Sequence, residues 1–310
     1  MEASKFKVSE IFYSPQGEGR YTGQLTAWVR FFSCNLQCAG FSQKDPTDPS
    51  TYVLPHKEYD LTHIKRIEDL PVFPYGCDTS YSWSAKYKHL CPSLTAAEIG
   101  EQLLAKLPNN SFYNTNAVND IHLAFTGGEP LLPKGQKMII EVLRYFYEKG
   151  IHYRTSGNST FNYPLNVTIE TNGTQELTDE FIDAIHNEFT DTRFFFSISP
   201  KLFHVSGEWH EKTFNLDAVK KFGGIMGRDN WGQLKFVVNN TKAAWDELEE
   251  TIAKWKAAGV YLPIWIMPLG ATIEQQESSD MVEIVEEAMK RGYNISNRVH
   301  VHIWGNKVGT

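Results

Sequence analysis

The sequence predicts an α/β protein built on a mainly parallel sheet, and three observations support this class. Apolar segments of strand length alternate with segments of helical periodicity along most of the 310 residues. About six such units in succession favour parallel βαβ connections. The strand segments are almost continuously apolar, as in a sheet covered by helices. A doubly wound sheet and a full or partial α/β barrel both satisfy the pattern, and either places an active site at the carboxyl ends of the strands.

The first half of the chain supplies the first strand and its neighbouring helix. The strand covers 27–33 and leads directly into Cys34. A helix is predicted over 94–107, and Thr95 with Glu98 forms the pattern of a capping box at its start. The helix is therefore expected to begin at a defined residue.

The alternation continues to the end of the chain. Strand 121–125 precedes the sequence TGGEP, and helix 134–149 ends before Gly150. The remaining elements are strands 167–171, 193–199, 234–238 and 261–267, helices 177–189, 216–222, 242–258 and 274–291, and a final strand over 298–304.

Composition excludes several classes of protein. Lys and Arg total 30 against 37 Asp and Glu, giving a formal charge of −7, which disfavours binding to a phosphate backbone. The longest uncharged stretch, 257–273, contains Gly259, Pro263, Pro268 and Gly270 and falls short of the roughly 18–20 continuous apolar residues that a membrane span needs. The amino terminus, MEASKFKVSE, lacks the apolar core of a secretory signal, so a cytoplasmic location is expected.

The chain has four cysteines: Cys34, Cys38, Cys77 and Cys91. In a reducing compartment, clustered cysteines more often bind metal or take part in chemistry than form disulfides. Thiolates are preferred ligands of iron–sulfur clusters and of zinc. Three of them would leave one iron of a [4Fe–4S] cluster open. The alternatives are buried apolar thiols and a zinc site whose fourth ligand is Cys91 or a histidine.

A glycine-rich turn supports the cluster hypothesis. In Thr126-Gly127-Gly128-Glu129-Pro130 the glycines allow close approach of the backbone to a ligand, and Glu129 can accept hydrogen bonds from an amine. Together with a strand that ends in cysteines, this sequence resembles the radical S-adenosylmethionine (SAM) superfamily. The resemblance implies a [4Fe–4S] cluster held by three cysteines, with SAM bound at the fourth iron. It also implies an incomplete barrel of the triosephosphate isomerase type, with about six parallel strands and helices outside.

The spacing of the third cysteine departs from the superfamily. The usual Cys-x3-Cys-x2-Cys pattern would place it at position 41, which is Phe41. Cys77, however, begins the sequence CDTSYSW, which resembles the residues after the third cysteine in one radical SAM family. The resemblance implies that Cys34, Cys38 and Cys77 are the ligands, within a single domain over 1–310 that carries an insertion at 41–76. Cys91 has no counterpart and is expected to be a non-ligand thiol.

That family is 7-carboxy-7-deazaguanine synthase (QueE). The segments that resemble it are SEIFYSPQGEGRYTGQ (9–24), WVRFFSCN (28–35), ISPK (198–201) and HIWGNKVGT (302–310). The resemblance implies conversion of 6-carboxy-5,6,7,8-tetrahydropterin to 7-carboxy-7-deazaguanine in 7-deazaguanine (queuosine) biosynthesis. The reduced cluster would cleave SAM to a 5′-deoxyadenosyl radical that abstracts hydrogen from C6 of the pterin. The ring would then contract with loss of ammonia.

The resemblance also assigns residues to the expected ligands. Gln16 and Glu18 suit the aminopyrimidinone edge of the pterin, because an ionised carboxylate only accepts hydrogen bonds. Arg30 suits the substrate carboxylate. The expected substrate residues are Pro15, Gln16, Gly17, Glu18, Arg30, Thr126, His300 and Thr310, with His302 as the alternative to His300. The expected SAM residues are Gly76, Asp78, Gly128, Glu129, Ser199, Pro200 and Lys201, and Thr79 is expected to ligate Mg²⁺.

The expected partners are the pterin, a flavodoxin or ferredoxin-type electron donor and a second copy in a homodimer, with no membrane and no direct nucleic acid. A structural salt bridge is the alternative interpretation of Lys235, and a turn is the alternative interpretation of Glu170 and Asn172. Two other functions remain open at this stage. One is another radical SAM enzyme, such as a glycyl-radical activase, and the other is a zinc-stabilised binding module without catalysis.

Overall fold

The computed structural model describes residues 3–113, 120–150, 153–155, 158–160, 163–226 and 231–310. Eleven strands lie in these ranges: β1 (Phe6–Pro15), β2 (Leu25–Phe31), β3 (Ser93–Leu94), β4 (His122–Gly127), β5 (Tyr153–Thr155), β6 (Asn158–Thr160), β7 (Asn166–Thr171), β8 (Arg193–Ile198), β9 (Gly232–Val238), β10 (Ile264–Pro268) and β11 (Asn294–Ile295). Strands β5 and β6 pair only with each other.

The other nine strands form one sheet in the order β11-β10-β9-β8-β7-β4-β2-β1-β3. From β2 to β11 every neighbouring pair is parallel, and the strands follow one another in chain order. Strand β1 joins antiparallel to β2, and β3 joins antiparallel to β1. The predicted α/β class with a largely parallel sheet is confirmed. Among the described strands the sheet does not close, because β11 and β3 lie at its two ends.

The described ranges contain eleven α-helices, and the longer ones between parallel strands cover one face of the sheet. They are α1 (Pro55–Glu58), α2 (Ala96–Lys106), α3 (Pro133–Lys149), α4 (Asp179–Asp183), α5 (Phe203–Ser206), α6 (His210–Thr213), α7 (Leu216–Met226), α8 (Lys242–Ala257), α9 (Ile273–Gln276), α10 (Ser279–Lys290) and α11 (Val299–Trp304). In the described part of the chain, no helix has the length and apolarity to cross a membrane.

Strand alternation separates the core from the pocket. On β2, Ala27, Val29 and Phe31 point into the helix-covered core, whereas Trp28 and Arg30 point to the other face and line a pocket. The predicted capping box of α2 is present, with the Glu98 amide donating to the Thr95 hydroxyl at 3.2 Å and the Thr95 amide donating to the Glu98 carboxylate at 2.7 Å.

Three predicted elements differ from the structure. The predicted strand 298–304 is wrong, because Val299–Trp304 is helix α11, ended by the left-handed Gly305 with φ +67°. The predicted helix 177–189 changes after α4 into a π-helical turn over Ala184–Glu188. The predicted helix 274–291 is two helices, since a second amino terminus follows Gln276.

Strand β1 was not predicted from the sequence, in which residues 9–24 were recognised only as a segment that resembles the family. Its burial alternates along much of its length, and it pairs with β2 from Val8 to Pro15. Because the pairing is antiparallel, the loop after Pro15 starts beside Leu25 at the amino end of β2, and its residues 16–18 reach the pocket.

The segment 41–76 contains little regular structure beyond α1 and short 3₁₀ turns. Its two ends meet, because the Gly76 amide donates to the Phe41 carbonyl at 2.8 Å. Its apolar side chains Ile67, Leu70 and Phe73 pack with residues that follow the third cysteine and with the carboxyl-terminal tail; these partners are Tyr81, Tyr87, Cys91 and Val308. Together these side chains form a second, small apolar core, which we call the small core.

His56 is a destabilising residue in this small core. Neither ring nitrogen has a described hydrogen-bond partner, and burial, with the charges of Lys57 and Lys86, lowers the pKa of His56 to about 4. Between about pH 6.5 and pH 4 the unfolded chain therefore binds a proton at His56 that the folded chain does not bind. The stability of the folded chain decreases as the pH falls through this range. We expect His56→Leu to raise the free energy of unfolding by about 1–3 kcal/mol, and by more at pH 5 than at pH 8.

Chemical denaturation at the two pH values measures this difference. The exposed His63, on the same segment, provides the control, and His63→Leu is expected to change stability by no more than about 0.5 kcal/mol. A gain that is the same at pH 5 and pH 8 would contradict the protonation argument.

Candidate active site

A pocket lies at the carboxyl ends of the parallel strands, bordered by the loop after β1, the cysteine loops and the carboxyl-terminal tail. The sequence-predicted residues that line it are Pro15, Gln16, Gly17, Glu18, Arg30, Cys34, Cys38, Gly76, Cys77, Asp78, Thr79, Thr126, Gly128, Ser199, Lys201, His300 and Thr310. Glu129 and Pro200 do not line it. Residues from both ends of the chain therefore meet in one cavity.

The first two cysteines lie on a tightly held loop after β2. Cys38 has φ +49°, a conformation that L-residues seldom adopt, and the amides of Gln37 and Cys38 each donate to Glu208 at 2.7 Å. The Leu36 amide lies 3.4 Å from the Cys34 sulfur and points at it as a donor. These bonds fix the direction of the loop independently of any bound group.

Cys77 reaches the same pocket from the far end of the segment 41–76. The Thr79 hydroxyl lies 3.4 Å from the Cys77 sulfur. Burial, followed by the charge of Glu129, raises the pKa of Cys34 to about 12, and burial also raises the pKa values of Cys38 and Cys77. These thiols need a positive group to become thiolates, and iron supplies such a charge.

The donor set fits an iron–sulfur cluster. In a [4Fe–4S] cluster each thiolate ligates its own iron, so the three sulfurs need to share a cavity but not a single point. All three cysteines line the pocket. Across the ranges that the structure describes, no three His, Cys, Asp or Glu side chains converge closely enough for a single metal ion. Cys91 is buried in the small core with Tyr87, outside the pocket.

The glycine turn after β4 requires the absence of side chains. A Cβ at Gly128 would lie 2.0 Å from the Ser33 carbonyl oxygen, and Gly127 has φ +142°. Glu129 is buried, and its carboxylate accepts from the Thr171 hydroxyl at 2.7 Å, the Asn172 amide at 2.8 Å and the Leu131 amide at 2.9 Å. The Glu129 side chain therefore joins the ends of β4 and β7, and the pocket presents the backbone of Gly128 instead.

One wall of the pocket is a chain of buried charges. Lys235 on β9 donates to Glu18 at 2.6 Å and to Glu170 at 3.0 Å, and Gln16 donates to Glu170 at 3.0 Å. Burial alone would raise the pKa of Glu18, but Lys235 and Arg298 hold it well below the usual value for a carboxyl group. Glu18 is therefore an ionised acceptor at neutral pH.

His300 lies next to this wall and is neutral. Burial, with the charge of Arg298, lowers its pKa to about 4. A Cβ at Gly17 would lie 2.0 Å from the His300 Nδ1, so only glycine allows this approach. His302 is exposed on α11 and does not line the pocket. Of the two alternatives, the structure places His300 at the site.

Arg30 belongs to a second network on the opposite side. Its guanidinium forms an ion pair with Glu10, which also accepts from the Tyr81 hydroxyl at 2.8 Å and from the Gly309 amide at 2.6 Å. Glu10 thus ties the carboxyl-terminal tail to β1 and places Thr310 at the pocket. Glu10 also balances part of the charge that Arg30 offers to an anionic ligand.

Two proteins that are similar to this chain over nearly its whole length carry the same name. The chain is 26% identical to a 7-carboxy-7-deazaguanine synthase of Rhodopirellula baltica, over 99% of this chain and 90% of that protein. It is 24% identical to a 7-carboxy-7-deazaguanine synthase of Pyrobaculum aerophilum, over 98% of this chain and 97% of that protein. This chain is a homologue of the 7-carboxy-7-deazaguanine synthases. The resemblance predicted from the sequence is confirmed over nearly the full length of the chain.

QueE from Escherichia coli aligns with 96% of this chain and 95% of its own at 17% identity, with a TM-score of 0.48. No model of a protein family matches the sequence.

The pocket residues of this 7-carboxy-7-deazaguanine synthase homologue that were missed or given no role from the sequence include Glu10, Glu170, Lys235 and Arg298. Lys235 and Glu170 carried a usable signal, because each is a charged residue inside an otherwise apolar strand. Glu10 and Arg298 carried none, since the strand of Glu10 was not predicted and Arg298 lies in a segment that was predicted as a strand.

Proposed function

We propose that this chain converts 6-carboxy-5,6,7,8-tetrahydropterin to 7-carboxy-7-deazaguanine, using a [4Fe–4S] cluster and SAM. The observation that carries the proposal is the homology to 7-carboxy-7-deazaguanine synthases along nearly the whole chain. Supporting it, one pocket holds Cys34, Cys38 and Cys77 together with acceptors and a guanidinium that suit a carboxylated pterin.

The proposed substrate contacts follow from the charges of the pocket. Glu18, held ionised, accepts from the amino and ring N–H groups of the pterin, and the Gln16 side chain lies beside it. Arg30 binds the substrate carboxylate with its remaining donors. His300, being neutral, adds one donor and one acceptor without a charge. Thr126 and the backbone of Pro15 and Gly17 enclose the remaining edge.

The cluster and SAM supply the radical chemistry, and the protein binds, orients and shields the reactants. Cys34, Cys38 and Cys77 are the proposed ligands of three irons. The proposed SAM residues that line the pocket are Gly76, Asp78, Gly128, Ser199 and Lys201, and Glu129 and Pro200, which do not line it, belong to the same two turns. Among these, Lys201 donates to the Ser199 hydroxyl at 2.8 Å and brings a positive charge near the cysteines, where the SAM carboxylate would lie.

We also propose that the Thr79 hydroxyl ligates Mg²⁺ beside the substrate carboxylate. Thr79 lines the pocket next to Cys77 and Asp78, and a hydroxyl oxygen is a suitable ligand for this ion. Titration of activity with Mg²⁺ tests the assignment, since Thr79→Val should raise the Mg²⁺ concentration needed for half-maximal turnover. An unchanged requirement would refute it.

The segment 41–76 is proposed to be an insertion in a single radical SAM domain over 1–310. The contact between Gly76 and Phe41 supports this, because the chain leaves and returns at one point. A flavodoxin or ferredoxin-type donor, a homodimer and a cytoplasmic location stay predictions.

Anaerobic turnover tests the function. The reconstituted, reduced protein is expected to convert the pterin to 7-carboxy-7-deazaguanine, detected by its absorbance and mass, only when SAM is present. The proposed function would be falsified if the protein bound cluster and SAM and cleaved SAM but left the pterin unchanged. The two alternatives, an activase and a zinc module, are not favoured, because the relatives that match nearly the whole chain are named as the synthase.

A further inference from the structure

Arg298 joins three separate parts of the pocket. It follows β11 and begins α11, and its side chain is only 10% exposed. The Nε donates to Glu18 at 3.1 Å, one terminal nitrogen donates to Asp78 at 2.7 Å, and the other donates to the Gly270 carbonyl at 2.7 Å. One planar group therefore holds the loop after β1, the loop of the third cysteine and the loop after β10.

Neutralising Glu18 does not require this arrangement. Lys235 already donates to the other oxygen of Glu18 at 2.6 Å. Asp78, in contrast, forms its only ion pair within the described residues with Arg298. What Arg298 alone provides is the link between Glu18 and Asp78.

This link spans the two halves of the proposed reaction. Glu18 is the proposed acceptor for the pterin edge, and Asp78 is the neighbour of the proposed cluster ligand Cys77. Their separation sets where a bound pterin lies relative to the cluster and SAM. Misplacement of about 1 Å between reacting groups lowers rates by about 100-fold.

We propose that Arg298 is a positioning residue that fixes the substrate-binding carboxylate of Glu18 relative to the cluster loop at Asp78. The inference rests on the proposed function, because that function assigns the pterin to Glu18 and SAM to Asp78. Arg298 does not need to touch the substrate. Its loss should allow the radical to form while the pterin lies out of place. The radical then takes a hydrogen atom from the reductant or buffer, and each such cleavage consumes one electron from the added reductant and releases methionine and 5′-deoxyadenosine without product.

Lysine cannot replace this arginine. A guanidinium presents donors in a rigid fork, whereas an ammonium is a single point on a flexible stem. Arg298→Lys keeps a positive charge beside Glu18 but cannot hold Glu18, Asp78 and Gly270 together. The two substitutions therefore separate charge from position.

The experiment compares wild type, Arg298→Lys and Arg298→Gln, with Arg291→Gln as the control. Arg291 forms ion pairs with Glu249 and Glu287 at the surface, away from the pocket. Iron content and the SAM-induced change in the cluster EPR signal are expected to match wild type in every variant. Arg298→Lys should lower kcat by about 100-fold and raise the ratio of 5′-deoxyadenosine to product by a similar factor, with a much smaller change in KM. The control should leave both quantities unchanged.

Different failures have different meanings. A wild-type protein that cleaves SAM but does not convert the pterin overturns the proposed function and this inference with it. An active wild type beside an Arg298→Lys variant with unaltered coupling overturns the inference alone, as does a change confined to KM. If Arg298→Gln does not fold, Arg298→Lys decides the question alone, because it keeps the positive charge beside Glu18 and removes only the rigid fork of donors.

Discussion

The Cys77→Ala variant is expected to lose the [4Fe–4S] cluster, while Cys91→Ala retains it. Cys77 lines the pocket with Cys34 and Cys38, whereas Cys91 lies in the small core against Tyr87. Removing one of three thiolates leaves an iron without its protein ligand. Iron and sulfide analysis after anaerobic reconstitution, with EPR in the presence and absence of SAM, measures the difference.

Cys91→Ala is the control for the loss of a cysteine side chain that is not a proposed ligand. Cys91 is buried in the small core and Cys77 is half-buried at the pocket, so loss of packing alone would affect Cys91→Ala more than Cys77→Ala. A SAM-responsive cluster in Cys77→Ala, together with its loss in Cys91→Ala, would reverse the assignment of the third ligand. Wild-type protein that took up no iron would remove the cluster from the proposed function altogether.

Replacing Lys235 with methionine is expected to destabilise the fold by about 3–5 kcal/mol at pH 8. The ammonium lies between the buried carboxylates of Glu18 and Glu170, and burial is outweighed by these charges, so the pKa of Lys235 is raised. Without the ammonium, the two carboxylates face each other with no cation between them. Urea denaturation at pH 8 and pH 5 measures the loss.

The sign of the pH dependence follows from Glu18. In the wild type its pKa is held below the unfolded value, so its contribution to stability is present above that value and is lost as the pH falls. In Lys235→Met the pKa of Glu18 rises, and protonation relieves the repulsion, so the deficit relative to wild type should be smaller at pH 5. Lys221 pairs with Glu176 at the surface, and Lys221→Met should cost no more than about 1 kcal/mol. Equal losses in the two lysine variants would contradict the role given to the buried pair.

Local signals explain which parts of the fold could be predicted. The capping box of Thr95 and Glu98 lies within four residues, and the structure contains both of its hydrogen bonds. The strand predicted for the tail was wrong because VHVHIW alternates between apolar and polar residues as a strand does. Its helix is set by tertiary contacts instead, since the Val299 amide donates to the Gly17 carbonyl at 3.0 Å. Nothing within the tail itself encodes that partner.

The same distinction applies to the site. Pocket residues that follow a strand end, such as Cys34 and Ser199, could be placed from the order of the strands and the resemblance. The ion pair of Arg298 with Asp78 joins residues 220 positions apart, and Glu10 meets Gly309 across 299. Such pairs depend on the place of β1 in the sheet and on the packing of the tail against the pocket, which the sequence pattern did not reveal.

The hydrogen bond between Gly76 and Phe41 has a consequence for recognising related chains. A loop whose ends are fastened together can change length without shifting the residues on either side, and doubling its length costs only about 0.6 kcal/mol in closure entropy. Cys77 can then hold its place in space while its number in the chain drifts from one protein to another. A search that demands a fixed interval between the second and third cysteines would pass over such proteins, whereas one that begins from CDT and the strand end would find them.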